Sequence, residues 1–170
     1  MKRLTLMRHA NAQWKDPQIP DFDRPLNRRG NSEAEAMGRR LLELQLVPTN
    51  LLSSNARRAE QTAEILAREL GVSGRNIRTD ESLYLAEAED ILRIIRSTGP
   101  RIPHLMIVGH NPGISEVANL LAPNRGIGDL TTAAACSFTF ETNNWADVEA
   151  AKLRDSLAET PPVGLFALWA

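Results

Sequence analysis

Leu105-Met106-Ile107-Val108-Gly109-His110-Asn111-Pro112-Gly113 is the stretch that decides the fold. Four consecutive apolar residues predict a short strand covered on both faces, as in a parallel sheet lying between helices. The glycines and proline that follow turn the chain, and a helix is expected to about Leu121. This unit sets a histidine just past the carboxyl end of a buried strand. Open α/β sheets bind their ligands at such strand ends.

Working outward, the same unit recurs. Leu4 to Met7 reads as a first strand, with Arg8-His9 at its end. A polar loop carrying Pro17, Pro20 and Pro25 follows. Asn27 can cap a helix that runs to about Leu46 on a stripe of Ala34, Met37, Leu41 and Leu44. Pro48 stops it. Leu51-Leu52 reads as a short buried strand, and a helix is expected from Arg57 to Leu70, closed by Gly71. A strand near Ile77 leads to a helix over Glu89–Arg96.

Beyond Leu121 the pattern weakens. Ala134–Phe140 and Leu165–Trp169 read as strands, and Val148–Leu157 carries a weak helical signal. The alternation predicts an α/β fold: a three-layer sandwich with a mainly parallel central sheet and helices on both faces.

Composition bounds the function. The chain has 170 residues, with 20 Lys and Arg against 21 Asp and Glu, a net charge of −1. That length suits one domain over residues 1–170. The charge balance argues against a nucleic-acid binder. No apolar run approaches the ~18 residues of a membrane span. Arg8 comes too soon after Met1 for a secretory signal, so a cytoplasmic location is expected. The single cysteine, Cys136, rules out an internal disulfide and a Cys-based zinc site, and is expected to be buried and inert.

The three histidines are therefore informative. His9 and His110 each follow a strand, whereas His104 precedes one and reads as structural. A third strand-to-helix junction, Ser53-Ser54-Asn55-Ala56-Arg57-Arg58, adds two arginines at a helix start. Such a terminus attracts anions, and the arginine fork suits phosphate oxygens. Two histidines with several arginines suit phosphoryl transfer through a nucleophilic imidazole, and no metal or other cofactor is expected. Asp23-Arg24 reads as a loop ion pair or part of the substrate rim, and Trp14 is a candidate for the pocket mouth. Asn111 sits where a nucleophile elbow would carry serine, which disfavours a serine hydrolase.

Leu6-Met7-Arg8-His9-Ala10 resembles the Arg-His-Gly/Ala signature of the histidine phosphatase (phosphoglycerate-mutase-like) superfamily. Ser54 to Thr62 and Val108 to Gly113 resemble its second and third elements, with Asn55 where proline is usual. Asp23-Arg24-Pro25-Leu26-Asn27-Arg28-Arg29-Gly30 is similar to a segment of the SixA-type phosphohistidine phosphatases. The resemblance spans roughly the first 120 residues.

It implies that His9 is the nucleophile, that Arg8 and Arg58 bind the phosphoryl oxygens, and that His110 donates a hydrogen bond to the same group. Asn111 would border the pocket. The register with Ala59 and Thr62 favours Arg58 over Arg57.

Related sequences often carry Leu-Tyr-Glu-Ala where this chain reads Leu83-Tyr84-Leu85-Ala86. Glu81 and Glu87 lie nearby, but neither is in register as the acid. An alkoxide leaves poorly without a proton, since the pKa of water is about 15.7. Imidazole, with a pKa of about 6.5, departs easily once protonated. The missing acid and a chain too short for a lid point to a phosphohistidine on a signalling protein. The resemblance suggests a His-containing phosphotransfer (HPt-type) domain, with inorganic phosphate as product. A broad small-molecule phosphomonoesterase, a non-catalytic phosphate-binding module and a mutase are the rival readings.

Overall fold

The computed structural model describes residues 1–14 and 16–162. The expected strand Leu165–Trp169 falls outside these residues. Among the described residues six strands form one sheet: β1 (Lys2–Arg8), β2 (Asn50–Ser54), β3 (Ile77–Asp80), β4 (His104–Gly109), β5 (Ala135–Phe140) and β6 (Leu153–Glu159). Four α-helices among the same residues accompany them: α1 (Arg28–Glu43), α2 (Arg57–Leu70), α3 (Ala88–Arg96) and α4 (Gly113–Leu121).

The strand order is β3-β2-β4-β1-β5-β6. β3, β2, β4 and β1 pair in parallel, and β5 and β6 add an antiparallel edge. The α/β sandwich with its largely parallel core is thus as expected.

The pleat sends alternate residues to opposite faces. Leu4, Leu6, Leu105 and Ile107 pack against Ile91, Ile95, Ile114 and Val117 of α3 and α4. Met7, Met106 and Val108 point the other way, toward Ala34, Met37, Leu41, Ala63 and Leu66 of α1 and α2. β4 is buried along its whole length, which explains its unbroken apolar run.

The helix ends follow local chemistry. The Asn27 side chain accepts Gly30 N–H at 2.8 Å, capping α1. That helix closes at Glu43, short of the expected Leu46. Gln45 takes a left-handed φ of 57°, and Leu46 N–H returns to the Leu41 carbonyl. This is the helix-closing geometry usually met with glycine. Gly71, with φ 68°, closes α2 in the expected way.

The helix expected over Val148–Leu157 does not form. Two 3-10 turns, Trp145–Asp147 and Ala150–Lys152, precede the strand β6. Leu153 and Leu157 stand four residues apart, which mimics a helical repeat. Backbone pairing with β5 decides the outcome instead.

One close approach shapes the site. A Cβ on Gly113 would lie 2.0 Å from the Ala86 carbonyl oxygen. Glycine there lets the start of α4 pack onto the 84–86 segment. This sets Tyr84 against His110, with their rings edge-to-face at 5.6 Å.

Candidate active site

The carboxyl ends of β1, β2 and β4 lie side by side in the sheet. They deliver Arg8, His9 and His110 to one pocket of about 520 Å³, and Ser54, at the end of β2, lies 2.8 Å from His110 Nε2. The three motifs of the sequence thus converge on one place, at the strand ends where it was expected.

His9 is buried, and its environment selects its tautomer. Nδ1 lies 2.8 Å from the Ala10 carbonyl, which can only accept, so Nδ1 carries the proton. Nε2 is then the bare nitrogen, and Arg58 Nε–H points at it from 3.3 Å. Burial lowers the His9 pKa to about 4, with help from the neighbouring arginines and against the Ala10 hydrogen bond. A neutral imidazole with an unprotonated Nε2 is a nucleophile ready at neutral pH.

His110 faces it, with ring centroids 5.1 Å apart. Its Nε2 is anchored on Ser54 Oγ at 2.8 Å, and its Nδ1 lies 3.5 Å from Arg58 Nη2. Burial first, then the nearby His9 and arginines, lower its pKa to about 3. Both imidazoles are therefore uncharged at pH 7.

Arg58 and not Arg57 is the buried member of the pair; Arg57 is exposed. The Arg58 side chain is only 3% exposed. An unpaired charge buried so deeply would cost several kcal/mol. Asp21 supplies the partner, through its carboxylate at 3.1 Å and its own carbonyl at 2.6 Å.

Arg8 donates to the Leu130 carbonyl at 3.1 Å. Burial pulls its pKa down, opposed by Asp129 and Glu33. Asn111 lines the pocket, and its amide is engaged in the wall. Nδ2 donates to the same Leu130 carbonyl, and Oδ1 accepts from Ser115.

Other expectations resolve individually. Arg24 lines the pocket but pairs with Asp21, not Asp23. Trp14 is 92% exposed and is not part of the pocket wall. Glu81 and Glu87 are also outside it, whereas Leu85 is in it. Cys136 is buried, and burial pushes its thiol up to about 12.

Asp21 and Tyr84 are among the pocket residues that the sequence reading missed, with Asn11, Ala12 and Thr132. Neither Asp21 nor Tyr84 belongs to a periodic element. Asp21 sits in a 3-10 turn of the loop after β1, and Tyr84 follows another 3-10 turn after β3. Among the described residues, Asp21 is the one carboxylate that lines the pocket. Hydrogen bonds from Tyr84 and Arg24 and the nearby Arg58 charge outweigh its desolvation and hold its pKa at about 2.

Three guanidiniums against one carboxylate, with both imidazoles neutral, leave the pocket with about two positive charges. A phosphoryl dianion would balance them. Among the described residues, no three His, Cys, Asp or Glu side chains cluster as a metal site would require.

Comparison with known proteins agrees with this geometry. Residues 4–85 match the model of the histidine phosphatase superfamily, branch 1. A SixA protein from Agrobacterium tumefaciens superposes with a TM-score of 0.74 at 28% identity, over 93% of this chain and 98% of its own. The chain belongs to the histidine phosphatase superfamily, in its SixA-type branch.

A SixA-type structure from Nakamurella multipartitia gives a TM-score of 0.77 at 26% identity, covering 95% and 97% of the two chains. An uncharacterized protein of Mycobacterium tuberculosis is 36% identical over 152 residues, 84% of this chain and 92% of that one. A chloroplastic protein of Arabidopsis thaliana is 33% identical over 129 residues. That match takes in 71% of this chain but only 59% of the plant protein. The family match and the likeness to SixA structures support a hydrolase that acts on phosphoryl groups.

Among the described residues, no helix is long and apolar enough to cross a membrane.

Proposed function

We propose that this SixA-type chain is a phosphohistidine phosphatase that works through a covalent phosphohistidine on His9 Nε2. Residues 1–170 would act as one catalytic domain, on a phosphohistidine carried by a signalling protein of the HPt type. The observation that carries this reading is the paired state of the two reactive groups. His9 presents a bare Nε2, while the pocket carboxylate, Asp21, is ionised at all but very low pH.

The chemistry follows from these states. The Nε2 lone pair attacks phosphorus as the P–N bond to the substrate ring breaks. A substrate imidazole already protonated on its second nitrogen takes that electron pair and leaves neutral. It asks no acid of the enzyme. His9 keeps its Nδ1–H on Ala10 and becomes a phosphoimidazolium. Water then attacks phosphorus, the P–Nε2 pair returns to the ring, and phosphate departs, the water proton passing to phosphate or solvent.

Arg8, Arg58 and His110 would stabilise charge on the phosphoryl oxygens through both steps. An alkyl phosphate would need a proton at its departing oxygen. Asp21, unprotonated and held by two arginines and a tyrosine, is in no state to give one. Leu85 occupies the wall beside it.

The test is single-turnover dephosphorylation of a phosphohistidine protein beside a small alkyl phosphate, for wild type and His9→Ala. Fast, His9-dependent loss of phosphohistidine with a sluggish ester is the expected result. Fast alkyl ester turnover would instead favour a broad phosphomonoesterase. No turnover of either, with phosphate still bound, would leave a phosphate-binding module.

A further inference from the structure

The loop between β1 and α1 reaches over the pocket and places Asp21 where three elements meet. Its carboxylate accepts four hydrogen bonds. Arg24 donates to Oδ1 from Nε at 3.0 Å and from Nη2 at 2.8 Å. Arg58 Nη2 and the Tyr84 hydroxyl donate to Oδ2 at 3.1 and 2.9 Å. The Asp21 carbonyl takes Arg58 Nη1 as well.

We propose that Asp21 is a positioning residue for phosphoryl transfer. Its carboxylate and carbonyl hold the Arg58 guanidinium beside His9, where a phosphoryl group on Nε2 would meet it, and tie Arg24 and Tyr84 into the same rim. The proposal rests on the site described above, and it adds the group that aligns that site.

A guanidinium is a rigid planar fork. Fixing Nη1 and Nη2 on one residue removes its freedom to swing, so the third donor, Nε, keeps a single direction. Among the described residues, Asp21 is the carboxylate partner of both Arg24 and Arg58. Its own place is not that of a core residue. The turn Asp21–Asp23 has no buried member, and the Asp21 side chain is 36% exposed. Asp21 offsets the buried Arg58 charge, and because it takes both Nη1 and Nη2 it also fixes the direction of the guanidinium. A carboxamide cannot replace it, because one of its two ends donates. Four donors then face one acceptor atom and one competing N–H.

The experiment is a double-mutant cycle with an aryl phosphate as probe. Its leaving group needs no enzyme acid, so the outcome does not depend on phosphohistidine being the substrate. Wild type, Asp21→Asn, Arg58→Ala and the double variant are compared for kcat and KM. Asp21→Asn should lower kcat about thirtyfold while KM changes by less than about threefold. In the Arg58→Ala background the same change should cost less than about threefold, because the group it aligns is gone.

Equal fold losses in both backgrounds, or a loss confined to KM, would overturn the proposal. Should Asp21→Asn fail to fold, Asp21→Glu goes through the same cycle under the same criteria, with a smaller loss expected because the charge remains. A His9→Ala control separates the two readings. Aryl phosphate turnover that survives His9→Ala refutes the site itself, whereas an additive cycle with an inactive His9→Ala refutes only the role of Asp21.

Discussion

The two ends of β4 carry the same residue type in the same physical state, with opposite consequences. His104 opens the strand and His110 follows its far end. Burial is the first cause of a lowered pKa in both, to about 4 for His104 and about 3 for His110. The difference is in what their nitrogens face.

His104 is closed on itself. Nε2 lies 2.8 Å from Thr5 Oγ1, and Nδ1 lies 3.1 Å from the Val47 carbonyl. Thr5 in turn bonds Ser137. At the other end, His9 and His110 line an open pocket beside three guanidiniums, and His9 Nε2 faces only the Nε–H of an arginine. A buried neutral histidine is therefore not a sign of catalysis in itself. The two ends differ in that the His9 lone pair faces a cationic donor in an open pocket, whereas both His104 nitrogens are held by neutral partners.

The largest expected effect breaks the comparison at its reactive end. His9→Ala should abolish turnover, lowering kcat by at least about a thousandfold, as loss of a nucleophile does. Steady-state assay of the purified variant checks it. Arg58→Ala should lower kcat by about a hundred- to a thousandfold, the range for losing one charge-stabilising donor.

Inorganic phosphate sharpens the contrast. Saturating phosphate should raise the Tm of wild type, because a ligand for the folded state stabilises it. It should raise the Tm of Arg58→Ala much less. Differential scanning fluorimetry with and without phosphate reads both.

At the quiet end, His104→Gln should cost about 1–3 kcal/mol of stability, the penalty for disturbing a buried hydrogen-bonded network, and leave kcat unchanged. Urea titration and the standard assay check the two halves.

Stability should also depend on pH. His9, His104 and His110 bind protons more weakly folded than unfolded, where the ordinary value is 6.5. Between that value and about 4 the unfolded state binds more protons, so stability falls as pH falls. Denaturation midpoints at pH 7 and pH 4.5 should show the loss. His104→Gln should flatten it by the share of one histidine, without moving the acid limb of activity that His9 sets.

Much of this was legible in the sequence, for identifiable reasons. α2 matches its expected bounds because Arg57–Leu70 has clean helical spacing and a glycine cap. β4 was readable because both of its faces are covered. The three motif loops were placed correctly because each follows a strand whose partners lie beside it.

The edge strand β6 was not legible. Its exposed residues mix Arg154 and Asp155 with Leu157 and Ala158, so no alternation of apolar and polar shows, and its two leucines have helical spacing. Asp21 and Tyr84 were not legible either. They lie in connections without periodicity, and only the strand order brings the β3 side of the sheet to the loop after β1. Leu85 was noticed as a substitution, but its place in the wall needed the fold.

The central claim is that phosphorus passes through His9. The direct measurement is to mix the protein with a phosphohistidine donor protein, quench in alkali within one turnover, and map the modified peptide by mass spectrometry. A transient phosphoryl group on His9 that rises and decays with the release of phosphate is the expected result. Phosphate released at the full rate with no label ever reaching His9, or with His9→Ala still active, would contradict it.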